Sequence, residues 1–152
     1  MTHGLPAAHP NVLVIDDAAD IRLLLRMVLS LEGFSVAEAE SGRHALELLA
    51  AGERPDIAVL DVQMPELDGW ETLARIRRDP ATADLRVVMC TVKSQPADLL
   101  QAWGLGCDGY LSKPIEVRGL AGELHEVLAR TEEERRAVRD ERIAAVEDAA
   151  VA

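Results

Sequence analysis

Four short apolar segments of the chain each run directly into polar side chains that can take part in chemistry. Three of these side chains are carboxylates, one is a hydroxyl and one is an amine. Three carboxylates brought within about 4 Å would repel, at a cost on the order of 4 kcal/mol per pair for an effective dielectric near 20. A hard cation would offset that repulsion, and oxygen ligands with room for water suit Mg²⁺. The five residues are Asp16, Asp17, Asp61, Thr91 and Lys113.

A pocket that combined these groups would suit a phosphoryl group. Asp61 could attack phosphorus as a carboxylate nucleophile. A bound cation and Lys113 would neutralise the charge of the transferring group, while Thr91 could hydrogen-bond one of its oxygens. Taken one at a time, these residues have simpler explanations, such as a helix cap, a surface lysine or a strand-end hydroxyl. Their occurrence together favours a shared site.

The elements that must position these residues are predicted from hydrophobic periodicity. The apolar run 57–60 is too short for a helix and indicates a buried strand, with Pro65 and Gly69 in the turn that follows. Strands that alternate with helices favour an α/β fold with a parallel sheet, whose strands all end at one edge. Ligands bind at that edge in open sheets. The strands are predicted at 12–15, 34–39, 57–60, 87–90 and 110–112, and the helices carry apolar residues at 21–29, 45–49, 70–76, 99–103 and 117–128.

The composition predicts one domain with a tail at each end. Residues 1–10 are predicted to be a flexible lead-in, and residues 11–129 to form the domain. Residues 130–152 form an acidic, helix-prone tail with opposite charges at i,i+4, which could continue the last helix. A solvated or frayed helix is favoured over a dimerisation coiled coil, because Val138, Ile143 and Val146 are too sparse for a heptad seam.

Charge and cysteine content narrow the class of protein. The net charge of −11 makes nucleic acid a poor partner. Cys90 and Cys107 are predicted to be buried, reduced thiols, which is typical of a cytoplasmic protein. No His or Cys stands at zinc-binding spacing. The sequence has neither an apolar run long enough for a membrane span nor a secretion signal, so we expect no membrane association.

With these residues in this order, the sequence resembles the receiver domain of two-component response regulators, in its stand-alone, single-domain form. Each matching segment is weak alone, but the ordered set is specific. The resemblance implies a flavodoxin-like, doubly wound, five-stranded parallel sheet with strand order 2-1-3-4-5. It extends over about residues 11–129, and its segments are 12–17, 61–65, Asp68-Gly69, Thr91 and 106–114.

The resemblance also implies an acceptor and a metal site. Asp61 matches the phosphoacceptor, which takes a phosphoryl group from a histidine kinase or a phosphotransfer protein. Asp17 and Asp61 match direct Mg²⁺ ligands and Asp16 a ligand through water. Gln63 matches a ligand through its backbone carbonyl.

A switch is implied in the same way. Thr91 matches a hydroxyl that turns toward the phosphate, and Tyr110 an aromatic residue that moves with it. Lys113 matches a lysine that contacts the phosphate, and its bond to Pro114 is usually cis in this family. The output would be a protein target at the face of the fourth helix, fifth strand and fifth helix, where Trp103 could be an exposed anchor or packed against the sheet.

Two positions depart from the family pattern. Val92 follows the switch threonine where Ala or Gly is common, and its branched side chain is expected to crowd the phosphate pocket. Lys93 stands beside the pocket rim, where it could contact phosphate or point to solvent; solvent is slightly favoured.

The resulting expectation is a signalling phosphoacceptor and not an enzyme beyond its own phosphorylation and dephosphorylation. Residues 130–152 are too few for a DNA-binding domain, so no direct nucleic-acid contact is expected, and a phosphorylation-dependent homodimer stays open. One alternative is a receiver-fold scaffold that works without phosphorylation. Another is a Mg²⁺-dependent aspartyl-phosphate hydrolase, which Gln63 disfavours because such phosphatases typically carry a second Asp at that position.

Overall fold

The computed structural model describes residues 9–151, which form alternating strands and helices. The predicted lead-in, 1–10, lies almost wholly outside this range. The strands are β1 (Asn11–Ile15), β2 (Ser35–Ala39), β3 (Ile57–Leu60), β4 (Arg86–Thr91) and β5 (Gly109–Ser112). The helices are α1 (Ala19–Leu31), α2 (Gly42–Ala50), α3 (Gly69–Arg78), α4 (Pro96–Leu105), α5 (Val117–Ala129) and α6 (Glu132–Val151).

The five strands form one parallel sheet in the order β2-β1-β3-β4-β5, as predicted. Side chains alternate between the two faces of each strand. In β1, Leu13 and Ile15 pack into a core with Leu73 of α3, whereas Val12 packs with Leu29 of α1 on the opposite face. The sheet is therefore covered on both sides, and its central strand β3 is buried along its whole length.

Local capping sets where the helices begin. Ser41 caps α2, and its hydroxyl accepts a hydrogen bond from the His44 N–H at 3.0 Å. Asp68 Oδ1 accepts from the Glu71 N–H at 2.9 Å at the start of α3. Such caps satisfy backbone donors that the first helical turn leaves free. They fix the loops that follow β2 and β3.

The C-terminal segment forms its own helix and does not continue α5. Arg130 has an extended backbone, and Thr131 and Glu134 exchange hydrogen bonds at 3.1 Å, each side chain with the other residue's N–H. This reciprocal arrangement starts a new helix. α6 then packs against α4 and buries Arg135, so it differs from the solvated helix favoured from the sequence.

The two cysteines and Trp103 are all buried in the fold. Cys90 and Cys107 are buried free thiols, and burial raises the pKa of each to about 12. Trp103 is packed, with 6% of its surface exposed, and so is not an exposed anchor. Among the helices of residues 9–151, none combines the length and apolarity that a membrane span requires.

Gly69→Ala should lower the free energy of unfolding by about 1–3 kcal/mol, because overpacking a tight contact forces the backbone to shift. A Cβ at this position would lie 2.3 Å from the Asp61 carbonyl oxygen and 2.7 Å from Val62 Cα. Gly122→Ala in α5, where a Cβ meets nothing within 4 Å, should instead raise the free energy by about 0.5–1 kcal/mol. Urea denaturation measures both. An unchanged midpoint for Gly69→Ala would contradict the close approach.

Candidate functional site

Polar side chains from four strands meet at the carboxyl edge of the sheet. Asp16 and Asp61 directly follow the neighbouring strands β1 and β3, whose register pairs Ile15 with Leu60. Asp16, Asp17 and Asp61 each place a carboxylate oxygen within 4.8 Å of the others. Thr91 ends β4 and Lys113 follows β5. The convergence predicted from the sequence is present.

Lys113 joins two of the carboxylates. Its Nζ lies 2.7 Å from Asp16 Oδ2 and 3.3 Å from Asp61 Oδ2. Asp16 and Asp61 are buried, whereas Asp17 is exposed. One ammonium group therefore faces two desolvated carboxylates with a third beside them, and the pocket keeps an excess of negative charge.

The backbone holds these side chains in place. The Asp61 N–H donates to the Ile15 carbonyl at 3.0 Å and so extends the strand pairing by one residue. Asp61 Oδ1 accepts a bond from the Gln63 N–H at 3.3 Å. Asp16 Oδ1 accepts from the Ala18 N–H at 2.9 Å. One oxygen of each carboxylate is thus oriented by the loop that follows it.

The pKa values of Asp61 and Lys113 are both raised above their ordinary values. Burial raises the pKa of Asp61 above its ordinary value, the charge of Lys113 opposes the rise, and the negative charge of Asp16 adds to it. For Lys113 burial acts to lower the pKa, but its hydrogen bond and attraction to Asp16, with the charge of Asp61, outweigh that and raise it. Lys113 therefore stays a cation, and ionised Asp61 is costly unless further positive charge is bound.

The donor set fits a hard divalent cation. All three side chains offer carboxylate oxygens, and Asp17 is open to solvent, which leaves room for water ligands. His44 and His125 lie elsewhere: the His44 ring accepts from the Glu40 N–H, and the His125 ring stacks near Phe34. Oxygen ligands without nitrogen or sulfur favour Mg²⁺ or Ca²⁺ over zinc.

A chain of contacts links the pocket to the loop between β4 and α4. The fully buried Thr91 accepts a hydrogen bond on Oγ1 from the Lys93 N–H at 3.2 Å. The Lys93 carbonyl accepts from the Tyr110 hydroxyl. Burial, with the negative charge of Asp98, raises the Tyr110 pKa to about 12, so the hydroxyl remains a donor. Thr91 and Tyr110 are therefore connected through the Lys93 backbone.

Several other predicted positions can also be located. Gln63 is exposed in the loop after β3, and Val92 is 58% exposed beside Thr91. The peptide bond between Lys113 and Pro114 is cis, as the resemblance implied.

One supporting residue was not anticipated from the sequence. Arg22, one turn into α1, donates to the Asp16 carbonyl at 2.6 Å and to Glu38 at 3.2 Å. It ties the loop after β1 to β2. A charged residue in the first turn of a helix has no distinguishing sequence signal, which is why it was missed.

Comparison with known proteins agrees with the fold. The family profile of the response regulator receiver domain matches residues 12–125. RpaA of Synechocystis sp., a DNA-binding dual master transcriptional regulator, is 36% identical over 123 residues, which are 81% of this chain and 51% of that protein. PhoB of Pseudomonas aeruginosa, a phosphate regulon transcriptional regulatory protein, is 33% identical over 121 residues, 80% of this chain and 52% of PhoB. The chain spans about half the length of these curated relatives.

Solved structures show the same fold. The chemotaxis protein CheY4 of Vibrio cholerae superimposes with a TM-score of 0.74 at 30% identity, covering 79% of this chain and 99% of that one. A putative response regulator from Chloroflexus aurantiacus gives a TM-score of 0.75 at 30% identity, covering 80% and 99%. The strand order, the cluster at the carboxyl edge and the family match agree, and the chain belongs to the response regulator receiver domain family.

Proposed function

We propose that this chain is a phosphoacceptor that takes a phosphoryl group onto Asp61 from a histidine kinase or a phosphotransfer protein. The observation that carries the proposal is the cluster of Asp16, Asp17 and Asp61 within 4.8 Å, with Lys113 bridging two of them. Mg²⁺ would be held by these three carboxylates and by the Gln63 backbone carbonyl. Bound there, it would neutralise charge on the phosphoryl oxygens.

The chain's own residues would position and stabilise the transfer. An Asp61 carboxylate oxygen attacks phosphorus as the phosphorus–nitrogen bond of the donor phosphohistidine breaks and the imidazole leaves. Lys113 would keep its positive charge and move from the carboxylates toward the incoming phosphoryl oxygens. The Thr91 hydroxyl would exchange its contact with the Lys93 N–H for a hydrogen bond to the same group. Alignment of donor and acceptor supplies most of the acceleration.

The alternatives fit less well. A hydrolase of the aspartyl-phosphate type needs an acid or base two residues after the nucleophile, where this chain has the exposed Gln63. A scaffold that works without phosphorylation would have no need for three repelling carboxylates and a half-buried lysine that bridges two of them. We therefore propose a switch, with no catalysis beyond its own phosphorylation and dephosphorylation.

The proposed setting is the cytoplasm, and the proposed output is binding to another protein. The net charge of −11 disfavours direct contact with nucleic acid. The target would bind the face made by α4, β5 and α5, which the Lys93 and Tyr110 contact joins to the pocket. Dimerisation on phosphorylation remains one form that this output could take.

Intact-mass spectrometry after incubation with acetyl phosphate and Mg²⁺ tests the proposed function. Wild type should gain one phosphoryl group, because Asp61 is positioned as the nucleophile, and Asp61→Asn should gain none. Asp68→Asn is the matched control, since that carboxylate caps α3 outside the pocket and should leave uptake intact. Uptake by Asp61→Asn equal to wild type, or none by wild type, would contradict the proposal.

Mg²⁺ should raise the melting temperature of wild type, because it binds the folded cluster and relieves its repulsion. Without Mg²⁺ at pH 7, Asp61→Asn should be more stable than wild type by about 1 kcal/mol. The raised pKa of Asp61 means that folding disfavours its charged form. As the pH rises from below the ordinary Asp pKa to above the raised one, Asp61 therefore destabilises the folded state increasingly. Thermal unfolding with and without Mg²⁺ measures the effect of the cation on wild type and the effect of Asp61→Asn.

The exposed Glu47→Gln on α2 is the control for loss of a single negative charge. Equal stabilisation of Glu47→Gln and Asp61→Asn would show a general charge effect instead of local repulsion.

Val92→Ala should take up phosphoryl groups from acetyl phosphate faster than wild type and lose them faster, because the smaller side chain opens the approach beside Thr91. A change of roughly tenfold would correspond to 1.4 kcal/mol in the barrier. Time courses of uptake and decay by mass spectrometry give both rates. Identical rates in the two proteins would rule out crowding by Val92.

A further inference from the structure

A buried carboxylate at the amino edge of the sheet fixes α6 to the domain. Asp108 has 1% of its side chain exposed and receives three guanidinium groups. Arg135 Nε lies 2.7 Å and Arg139 Nη2 2.8 Å from its Oδ1, and Arg77 Nη2 from α3 lies 3.0 Å from its Oδ2. We refer to Asp108, Arg77, Arg135 and Arg139 as the Asp108 cluster. Charge-assisted bonds of this kind are strong when they are shielded from water.

α6 runs from this cluster toward the edge that carries Asp61. Its first turns lie at the amino edge, where Arg135 also donates to the Asp84 carbonyl at 3.0 Å. Farther along, Arg139 Nε donates to the Cys107 carbonyl, and the Arg142 guanidinium lies over the Trp103 ring at 5.9 Å. α6 is therefore antiparallel to α4. Of the three arginines, Arg142 contacts α4 itself, whereas Arg135 and Arg139 contact groups beyond its C-terminal end.

The two halves of α6 are held differently. The Asp108 cluster binds the first half. The second half touches the core through Ile143 and otherwise borders a cavity of about 470 Å³, open to solvent, between α6, α4 and β5. Val146 and Ala149 line it from α6, and Leu99 and Tyr110 line it from α4 and β5. Protein interiors are otherwise closely packed. Segments with few packed neighbours open at lower free-energy cost than a packed core.

The same cavity touches the contacts that lead from the pocket. Tyr110 lines it and donates its hydroxyl to the Lys93 carbonyl, while the Lys93 N–H bonds Thr91. Ser94, the next residue of that loop, also lines the cavity. If Thr91 moves toward a phosphoryl group on Asp61, it gives up its bond to the Lys93 N–H. The position of Tyr110, and with it the packing of the second half of α6 across the cavity, then changes.

We propose that α4 and β5 form a docking surface for a helix that presents one arginine, at the position of Arg142, among small aliphatic residues. α6 is the occupant that the chain supplies to itself when Asp61 is unmodified. Phosphorylation loosens the second half of α6, and a target helix of the same pattern then competes for Trp103 and the cavity. The coupling to phosphorylation rests on the function proposed above, whereas the occupancy by α6 does not.

Hydrogen exchange on the full chain tests the occupancy without any phosphoryl donor. Arg139→Gln combined with Arg142→Ala should speed amide exchange in residues 140–151 at least about fivefold, the lower end of coupling usual between sites. Arg77 and Arg135 still pair with Asp108 in this variant, which preserves the fold. Arg136→Gln is the control, because Arg136 is exposed and pairs only with Glu132 among the contacts described. Equal exchange in the variant and the control would overturn the occupancy.

A second copy is the alternative occupant. If α6 covered α4 of another chain, unmodified wild type would run as a dimer by light scattering, and that result would overturn the intramolecular arrangement. We expect a monomer.

The coupling is tested on wild type with Mg²⁺ and acetyl phosphate, with mass spectrometry recording phosphorylation in the same samples. Exchange in residues 140–151 should rise at least about fivefold on phosphorylation. A phosphorylated chain with unchanged exchange would overturn the coupling and leave the proposed function standing. A chain that takes up no phosphoryl group would overturn both.

A peptide with the sequence of residues 132–151 serves as the competing helix. It should bind the phosphorylated full chain at least about fivefold more tightly than the unmodified chain, because α6 no longer holds the surface. The same peptide carrying Arg142→Ala should lose this preference, because Arg142 is the arginine that lies over Trp103. Equal binding of the native peptide to both forms of the chain would overturn the docking surface.

Discussion

The repulsion among carboxylates at one edge of the sheet is the constraint on which the rest of the structure depends. Parallel pairing of β1 with β3 places Asp16 beside Asp61, because each directly follows a residue of the pair Ile15 and Leu60. Lys113 offsets part of the repulsion but not all of it, since burial still raises the pKa of Asp61. Under the function proposed above, a divalent cation would offset this surplus of negative charge and would bind phosphoryl oxygens.

The second constraint lies at the opposite edge, where Asp108 binds three guanidinium groups. This cluster is remote from the chemistry, yet it fixes one end of α6, whose other end lies over the contacts that lead back to Thr91. Under the coupling proposed above, a rearrangement near Asp61 would loosen the second half of α6, which lies at the same edge, while the Asp108 cluster would keep the first half in place. The proposed coupling thereby links the charge of the pocket around Asp61 to the surface formed by α4 and β5.

The strands and the pocket were predictable because their signals are local. A short apolar run bounded by Gly or Pro and ending in Asp allows few interpretations, and the alternation of elements then fixes the shared edge. The strand ends differ from the prediction by about one residue, as at Ser35 and Arg86, because hydrogen bonding and not hydropathy sets them. The packing of α6 was missed because Arg135, Arg139 and Arg142 resemble a solvated face. Only their distant partners, Asp108 and Trp103, show that these arginines point inward.

Chemical trapping on the intact chain identifies the aspartate that carries the acyl phosphate, which the proposed function places on Asp61. Borohydride reduces an aspartyl phosphate to homoserine, so the modified residue is identified by peptide sequencing after incubation with acetyl phosphate and Mg²⁺. Homoserine at position 61 and at no other aspartate is the predicted result. Homoserine at Asp16 or Asp17, or at no position in a chain that has gained a phosphoryl group, would contradict the account.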